Sequence, residues 1–368
     1  MTRNNPEHRY LQPVQLLATR GARSAEVFHL DGELHVAIAQ LAVDIPGQTA
    51  QMNAGDSDIA ALIYRWRDGR LVEHESLPLS GGEDVEHFTI GARHFLATAG
   101  IRSGKGPYEL DCTTVVYEHT GGQWMPFQSF PTFAAKQWRF FSIGERHFLA
   151  LAQGVTVDGI VPKHARHSCL FEWDGKQFEP FQTLPGLWGY NWDFVTFEGT
   201  HYLTYADHVS GSSILRWNGT LFEDFQIFSE NGGRAFRFFE DQGQLYMIHA
   251  NLMKGTAVYR LSGDSFVHHQ ELGAAGGREL CLFRGERGLY LVRVCFITGT
   301  PHAPTTALTS QIFCWQHGEF ELREEFPTSG GTDAATFVVD GQRYLVVTNS
   351  LSAEIRFQVD SVLYKFSD

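Results

Sequence analysis

Charged side chains recur at one point of a repeated sequence unit, where the first strand of each repeat is expected to begin. If these strands converge on one axis, a carboxylate or an imidazole there could move a proton, and an arginine could stabilise developing negative charge. The candidate catalytic residues at these positions are Glu86, His87, Arg139 and Asp193. The candidate ligand-binding residues at equivalent positions are Arg234, Arg278, Glu279 and Asp333. A structural role stays open as well, because charges at strand ends also cap backbone groups or pair between repeats.

Aromatic residues cluster just before two of the repeats. Trp138 and Trp192 occupy the same place in successive repeats, so we expect them to be structural. Trp188 and Tyr190 lie outside the repeat pattern, and we expect them to contact a ligand. Exposed aromatic side chains suit an apolar small molecule or a binding hot spot for a protein partner.

The sequence lacks the motifs of the common metal and cofactor sites. His164 and His167 offer two metal nitrogens, but a zinc site needs three or four ligands and no third lies nearby in sequence. The acidic residues Asp44, Asp56 and Asp58 lack the spacing of a calcium loop. A Gly-x-Ser-x-Gly elbow and a dinucleotide fingerprint are both absent. We therefore expect no metal and no cofactor.

The elements that must position these residues are two alternating hairpin phrases. The first has an aromatic residue, a turn glycine and a second apolar strand, as in residues 141–150, Phe-Ser-Ile-Gly-Glu-Arg-His-Phe-Leu-Ala. The second is seen in residues 170–178, Leu-Phe-Glu-Trp-Asp-Gly-Lys-Gln-Phe. Each phrase alternates apolar with polar residues around a glycine, which is typical of a β-hairpin. Two hairpins make one four-stranded antiparallel sheet.

Seven copies of the first phrase are present, and successive turn glycines lie 42 to 59 residues apart. The turn glycines are Gly32, Gly91, Gly144, Gly199, Gly243, Gly285 and Gly341. Seven such units predict an all-β, seven-bladed β-propeller formed by the whole chain, 1–368. The expected blades run roughly over 24–78, 85–131, 138–185, 192–228, 235–272, 279–327 and 334–368.

The two ends of the chain complement each other. The last repeat stops after its third strand, at Phe366, and residues 10–17 have the character of an outer strand. We therefore expect residues 10–17 to complete the last blade and close the ring, which removes two open sheet edges.

Hairpin connectivity assigns the loops to faces. The glycine turns share one face of the disc, and the other connections lie on the opposite face. Long polar loops are expected there over 41–57, 101–111, 155–167 and 297–309, the last of them interrupted by prolines and glycine. Variable loops on a rigid scaffold are where binding and catalysis concentrate. Tolerated insertions are the alternative.

The segment 140–152, Phe-Phe-Ser-Ile-Gly-Glu-Arg-His-Phe-Leu-Ala-Leu-Ala, and the segment 168–178 resemble repeats of the EAR family, also called EPTP or epitempin repeats. The resemblance runs over nearly the whole chain. It implies a propeller scaffold and a protein-binding module, since members of this family are best known as extracellular binding modules. The repeat motif implies no catalytic residues.

Charge and composition restrict the partners. The formal charge is −13, which argues against nucleic acid because such binders present a basic surface. Residues 1–8 are polar and carry no signal-peptide core, and no apolar stretch approaches the roughly 18 residues of a membrane span. Five scattered cysteines indicate free thiols in a reducing compartment. We expect a cytoplasmic protein, a monomer without a membrane partner.

Two functions from different classes follow from these residues. The first is a propeller that binds a small molecule or a protein on its loop-rich face and in its central cup. The alternative is a cofactor-free enzyme, a cyclase, isomerase or lyase, which acts by acid–base chemistry on a hydrophobic metabolite in the same cup.

Overall fold

The computed structural model describes residues 9–368, which form seven four-stranded antiparallel sheets and one two-stranded hairpin. The polar segment 1–8, on which the signal-peptide expectation depends, lies outside the described residues. The sheets are the seven blades of a β-propeller, which confirms the predicted fold. Within residues 9–368 no helix has the length and apolar character needed to cross a membrane.

The first strand, β1 (Leu11–Leu17), belongs to the last blade. Blade 1 contains β2 (Ala22–Leu30), β3 (Glu33–Gln40), β4 (Ala60–Arg67) and β5 (Arg70–Pro78). Blade 2 contains β6 (Gly82–Ile90), β7 (Arg93–Gly100), β8 (Asp111–Thr120) and β9 (Gln123–Phe133). Blade 3 contains β10 (Gln137–Ile143), β11 (Arg146–Ala152), β12 (Ser168–Trp173) and β13 (Phe178–Leu184).

Blade 4 contains β14 (Gly189–Phe197), β15 (Thr200–Asp207), β16 (Ser212–Trp217) and β17 (Phe222–Phe228). Blade 5 contains β18 (Gly233–Asp241), β19 (Gln244–Asn251), β20 (Gly255–Ser262) and β21 (Ser265–Gly273). Blade 6 contains β22 (Gly277–Arg284) and β23 (Leu289–Cys295), then a side hairpin of β24 (Thr298–Thr300) and β25 (Ala303–Thr305), then β26 (Ala307–Gln316) and β27 (Glu319–Ser329). Blade 7 contains β28 (Gly331–Val339), β29 (Gln342–Asn349), β30 (Ser361–Phe366) and β1.

The hairpin turns follow from their glycines. In blade 1 the turn between β2 and β3 places Asp31 at φ 52° and Gly32 at φ 79°. Two successive residues with positive φ define the type I′ turn, which matches the twist of the flanking strands and favours Asp-Gly. The turn holds the two strands in register from Ser24 opposite Ala39 to Leu30 opposite Glu33.

The hydrophobic core lies between the blades. Within the described residues one cluster of buried apolar side chains fills each of the seven blade interfaces. Between blades 3 and 4 the rings of Phe141 and Phe194 stack with centroids 4.5 Å apart, and Phe88 and Phe140 repeat this contact between blades 2 and 3 at 4.6 Å. The recurring aromatic residues of the repeat are therefore the contacts that hold neighbouring sheets together.

Ring closure occurs as predicted from the two chain ends. Strand β1 pairs antiparallel with β30, from Leu11 opposite Phe366 to Leu17 opposite Ser361. Leu11 and Leu17 are buried against the neighbouring blades. The edge of β30 is thereby covered, which removes an aggregation-prone open edge.

We call the face of the disc opposite the glycine turns the loop-rich face. It carries the connection between β3 and β4, the equivalent connections of the other blades, and the links between blades. One stretch there departs from the sequence-based expectation, because residues 297–309 form the β24–β25 hairpin and the start of β26. Pro301 lies in the hairpin turn and Pro304 in β25. Proline is tolerated in both places, since a turn favours its fixed φ and a two-stranded hairpin consists only of edge strands.

The innermost strands begin a few residues earlier than the expected blade boundaries. In six of the blades formed by the described residues, the second residue of the innermost strand has no partner on the next strand. The register between the two strands shifts by one residue at this point. Such a β-bulge adds one residue to the strand and redirects its side chain. These bulges lie at the end of the central channel that opens on the loop-rich face.

Candidate functional site

Seven structurally equivalent positions, one per blade, surround the channel at the level of these bulges. Each residue follows a glycine or an alanine, and in blade 3 the position immediately precedes β10. We call these seven residues the upper ring: Arg23, Glu83, Lys136, Tyr190, Arg234, Arg278 and Thr332. The small preceding residue is required by close packing; a Cβ at Gly233, for example, would lie 2.7 Å from the carbonyl oxygen of Asp207 in the previous blade.

The upper ring holds four cationic side chains and a single carboxylate. Glu83 lies 3.5 Å from the Nε of Arg23, 3.9 Å from the Nζ of Lys136 and 3.2 Å from a terminal nitrogen of Arg278. Burial acts to raise the pKa of Glu83, but the three cations outweigh it and lower the pKa to about 2. Glu83 is therefore ionised and shared by three positive charges.

Arg234, the fourth cation, has no carboxylate within ion-pair distance among residues 9–368. Its side chain is only 6% exposed, and its guanidinium lies over the ring of Tyr190, 3.9 Å from the centroid. One terminal nitrogen donates to the carbonyl of the adjacent Gly233 at 3.1 Å. Its Nε has no hydrogen-bond partner in the described part of the chain. Arg234 is therefore a buried and incompletely satisfied charge.

Above the upper ring, the loop-rich face encloses an apolar pocket of about 530 Å³. Its walls include Ile101, Trp188, Leu252, Met253, Phe296 and Ile297. These six residues come from four loops, and the complete lining includes loops of five blades. Six of the seven upper-ring residues also line the pocket. Trp188 Nε1 and His208 Nδ1 are buried without a hydrogen-bond partner within residues 9–368. Burial lowers the pKa of His208 to about 3, so this imidazole is neutral at physiological pH.

Below the upper ring lies a polar cavity of about 490 Å³ in the central channel. The predicted residues Glu86, Arg139, Asp193, Glu279 and Asp333 all line it. Arg234 and Arg278 also line it and form part of the boundary between the two cavities. With Tyr190 of the upper ring, the structure therefore brings eight of the predicted site residues to one axis, at different depths.

The carboxylates of the lower cavity cap the next blade. Glu86 accepts a hydrogen bond from the Phe140 amide at 2.9 Å, and Asp193 accepts one from the Phe238 amide at 2.8 Å. Asp333 accepts one from the Ala25 amide at 2.8 Å. These contacts correspond to the structural role that the sequence analysis left open, because each joins one inner strand to its neighbour.

Ion pairs in the lower cavity also cross between blades. Arg139 lies 3.4 Å from Glu86, and Arg237 lies 2.9 Å from Glu279. Burial raises the pKa of Glu86, and the carboxylate of Asp193 adds to this shift while Arg139 opposes it. Burial also raises the pKa of Asp333, to about 7, and there Glu279 adds to the shift while Arg237 opposes it. Burial acts to lower the pKa of Arg139, but the surrounding acids raise it above its ordinary range.

His87 does not reach this cavity. It stacks on Phe28 between blades 1 and 2, with ring centroids 4.8 Å apart, and its Nε2 lies 3.2 Å from Nδ1 of His94. Burial lowers the pKa of His87 to about 4. Successive residues of a strand point to opposite sides, so Glu86 faces the channel and His87 faces the blade interface.

Three tryptophans divide as the repeat pattern suggests, but Tyr190, expected to lie outside the pattern, occupies a repeated position of the upper ring. Trp138 and Trp192 are fully buried in successive blade interfaces. Tyr190 belongs to the upper ring and Trp188 to the pocket wall above it, with ring centroids 6.3 Å apart. Burial acts to raise the pKa of Tyr190, but the charges of Arg234 and Lys136 outweigh it and lower the pKa.

Sequence reasoning missed Arg23, Glu83 and Lys136 of the upper ring. A signal was available, because each follows an alanine or glycine, as Arg234 and Arg278 do, just before the predicted strand. The bulge that turns Arg23 and Glu83 to the axis in blades 1 and 2 has no comparable local signature. Residues 9–368 contain no group of three or more His, Cys, Asp or Glu side chains arranged to hold a metal ion.

Comparison with known proteins identifies repeats of one family. Residues 125–174, 177–218 and 319–367 match the EPTP domain family. The human thrombospondin-type laminin G domain and EAR repeat-containing protein is 29% identical over 153 residues, which cover 40% of this chain and 22% of the relative. Its mouse counterpart is 29% identical over 176 residues, which cover 45% of this chain and 24% of the relative. The matched region thus spans about a quarter of these relatives.

Proposed function

Because this chain is a β-propeller of the EAR/EPTP repeat family, we propose that it is a binding module that takes its ligand into the apolar pocket of the loop-rich face. The family repeat builds the scaffold, so specificity resides in the loops that the scaffold carries. The observation that carries the proposal is the pocket itself, about 530 Å³ in volume and enclosed by loops of five blades. Ligand sites are typically concave, largely apolar and of about 300 to 1,000 Å³.

The contacts of the acidic residues favour binding over the enzymatic alternative. Glu86 and Asp193 lie below the upper ring and accept backbone hydrogen bonds from the next blade. His87 faces a blade interface, where its neighbours are Phe28 and His94. A general acid or base must reach the substrate directly or through one water, and these three groups are turned to structural partners instead.

The free cysteines support a cytoplasmic site of action as part of the same proposal. Cys112, Cys169, Cys281, Cys295 and Cys314 are all unpaired. Thiols persist in reducing compartments, whereas extracellular proteins commonly pair them.

The test uses the uncharged fluorophore N-phenyl-1-naphthylamine, whose emission rises in apolar surroundings. Met253 is 60% exposed and lies on the pocket wall, whereas Met125 is 49% exposed on β9, outside the pocket. We expect saturable binding that Met253→Ala weakens about threefold or more, while Met125→Ala leaves it unchanged, because only Met253 loses contact with the probe. Trp188→Ala should also weaken binding without unfolding the protein.

Equal behaviour of the two methionine variants would place the probe elsewhere on the surface. A lack of saturable binding to the wild-type protein would likewise count against the proposed function.

A further inference from the structure

We propose that the ligand of this pocket is a free small molecule with one anionic group on an apolar body, and that the upper ring binds the anionic group. This inference rests on the proposed binding function and specifies its ligand class. The anionic group is a carboxylate, sulfonate or phosphate. Each of these groups has at least two oxygens that can accept hydrogen bonds from one guanidinium.

The first observation is the unpaired charge of Arg234. A buried cation is stable only when it is paired or fully hydrogen-bonded. Arg102, in the same pocket, meets this condition, because its nitrogens donate to Ser57 Oγ, Asn53 O and Ala54 O. Arg234, by contrast, donates one hydrogen bond to the carbonyl of Gly233 and lies over the ring of Tyr190. Its Nε lacks a partner in the described residues. The missing partner is an acceptor in the cavity.

The second observation is the imbalance of the ring. Arg23, Lys136 and Arg278 already share the one carboxylate of Glu83. Counting Arg234, the ring carries four positive charges against one negative charge, so an excess of positive charge faces the base of the pocket. An anion there would be attracted by several fixed cations in a site of low dielectric constant, where such attraction is strong.

The third observation is the change of character with height. The upper ring is polar, and directly above it Phe296 contacts two of its guanidiniums. The Cζ atoms of Arg278 and Arg23 lie 4.9 Å and 5.5 Å from the centroid of the Phe296 side chain. Higher walls are formed by Ile101, Trp188 and Leu252. A ligand that satisfies both levels has its charge at the base and its apolar part above.

Depth favours a free molecule over a membrane surface. Arg23 and Arg234 are each only 6% exposed, at the base of a pocket enclosed by loops. Headgroups of an intact bilayer contact exposed basic residues and do not enter an enclosed pocket.

The experiment compares two probes with the same ring system. 8-Anilinonaphthalene-1-sulfonate carries a sulfonate, and N-phenyl-1-naphthylamine lacks it. We expect the wild-type protein to bind the sulfonate at least tenfold more tightly. Arg234→Gln should weaken sulfonate binding about tenfold and change neutral-probe binding less than twofold. Arg260→Gln, at an exposed position of β20 outside the pocket, should change neither.

The outcomes separate the two proposals. If both probes bind equally in the wild type, or Arg234→Gln weakens both to the same extent, the anionic class is wrong while the binding function stands. If neither probe binds in a Met253-dependent way, both proposals fail. Should Arg234→Gln not fold, two other measurements decide the question. One is the preference of the wild-type protein for the sulfonate over the neutral probe, and the other is the Arg234→Lys variant, which keeps the charge and should keep that preference. If the wild-type protein sediments with phosphatidylglycerol vesicles and Arg234→Gln does not, the ligand is a membrane lipid and the proposal of a free small molecule is overturned.

Discussion

The side-chain amide of Gln15 makes two hydrogen bonds to the backbone of Leu71 in the neighbouring blade. Its Nε2 donates to the Leu71 carbonyl at 2.7 Å, and its Oε1 accepts from the Leu71 amide at 2.9 Å. The same two bonds join Gln128 to Phe178, Gln182 to Phe222, Gln226 to Phe266 and Gln270 to Phe320. The glutamine of the repeated phrase is therefore a link between outer strands, and Gln15 provides it where the ring closes.

Gln15→Ala should lower the free energy of unfolding by about 1 to 2 kcal/mol, because two backbone groups lose their partner. Gln12→Ala is the matched control, since Gln12 is exposed on the same strand and should cost less than about 0.5 kcal/mol. Urea denaturation measures both. Deleting residues 1–17 should be far more damaging, because it exposes the edge of β30. Equal stabilities of the two glutamine variants would contradict the role of the link.

Gly233→Ala should lower the free energy of unfolding by about 2 to 3 kcal/mol through overpacking. A Cβ there would collide with the Ser212 hydroxyl and lie 2.7 Å from the Asp207 carbonyl oxygen in the previous blade. Gly243→Ala, in an open hairpin turn at φ 72°, should cost only about 1 kcal/mol of backbone strain. A thermal or urea melt in which Gly243→Ala is the more damaging change would refute the tight packing at the upper ring.

Glu83→Gln should make the protein less stable at pH 7 by roughly 3 kcal/mol, because three buried cations lose their shared carboxylate. The folded-state pKa of Glu83, about 2, lies below its ordinary value of 4.5, so its contribution is present above pH 4.5 and is lost as pH falls towards 2. The stability difference between wild type and variant should therefore shrink between pH 5 and pH 2.5 in urea titrations. Glu73→Gln, at an exposed position, should show no such trend. A difference that stays constant with pH would speak against the charge cluster.

Asp333→Asn should have the opposite pH dependence. The folded-state pKa of Asp333, about 7, lies above its ordinary value of 3.8, so its stabilising effect is present at low pH and is lost as pH rises through 7. Asparagine cannot ionise, so the variant should gain about 2 to 3 kcal/mol relative to wild type between pH 5 and pH 8. Asp340→Asn, in the exposed turn of the same blade, is the control. A relative stability that does not rise with pH would argue against a raised pKa.

Part of the candidate site was predictable from repeat position. The equivalence of Arg234 and Arg278 in successive repeats, and the departure of Trp188 from the pattern, identified residues that line the two cavities. The depth of each residue was not predictable, because one bulge at the start of an inner strand shifts the side-chain alternation by one. In blade 2 that shift puts Glu83 into the upper ring and leaves Glu86 three residues further along the strand, in the lower cavity.

The sequence alone determined the architecture: hairpin phrases with glycine turns repeat seven times, and the strand missing at the C-terminus is present at the N-terminus. Those signals are local, since turn geometry and alternation act within a few residues. Only the tertiary structure decided which charges meet. Glu83 and Arg278 are 195 residues apart in sequence and 3.2 Å apart in the ring, and Arg234 is left without a carboxylate partner among residues 9–368. Such pairings depend on the radius of the closed ring and on the direction of each bulged side chain, which no single repeat encodes.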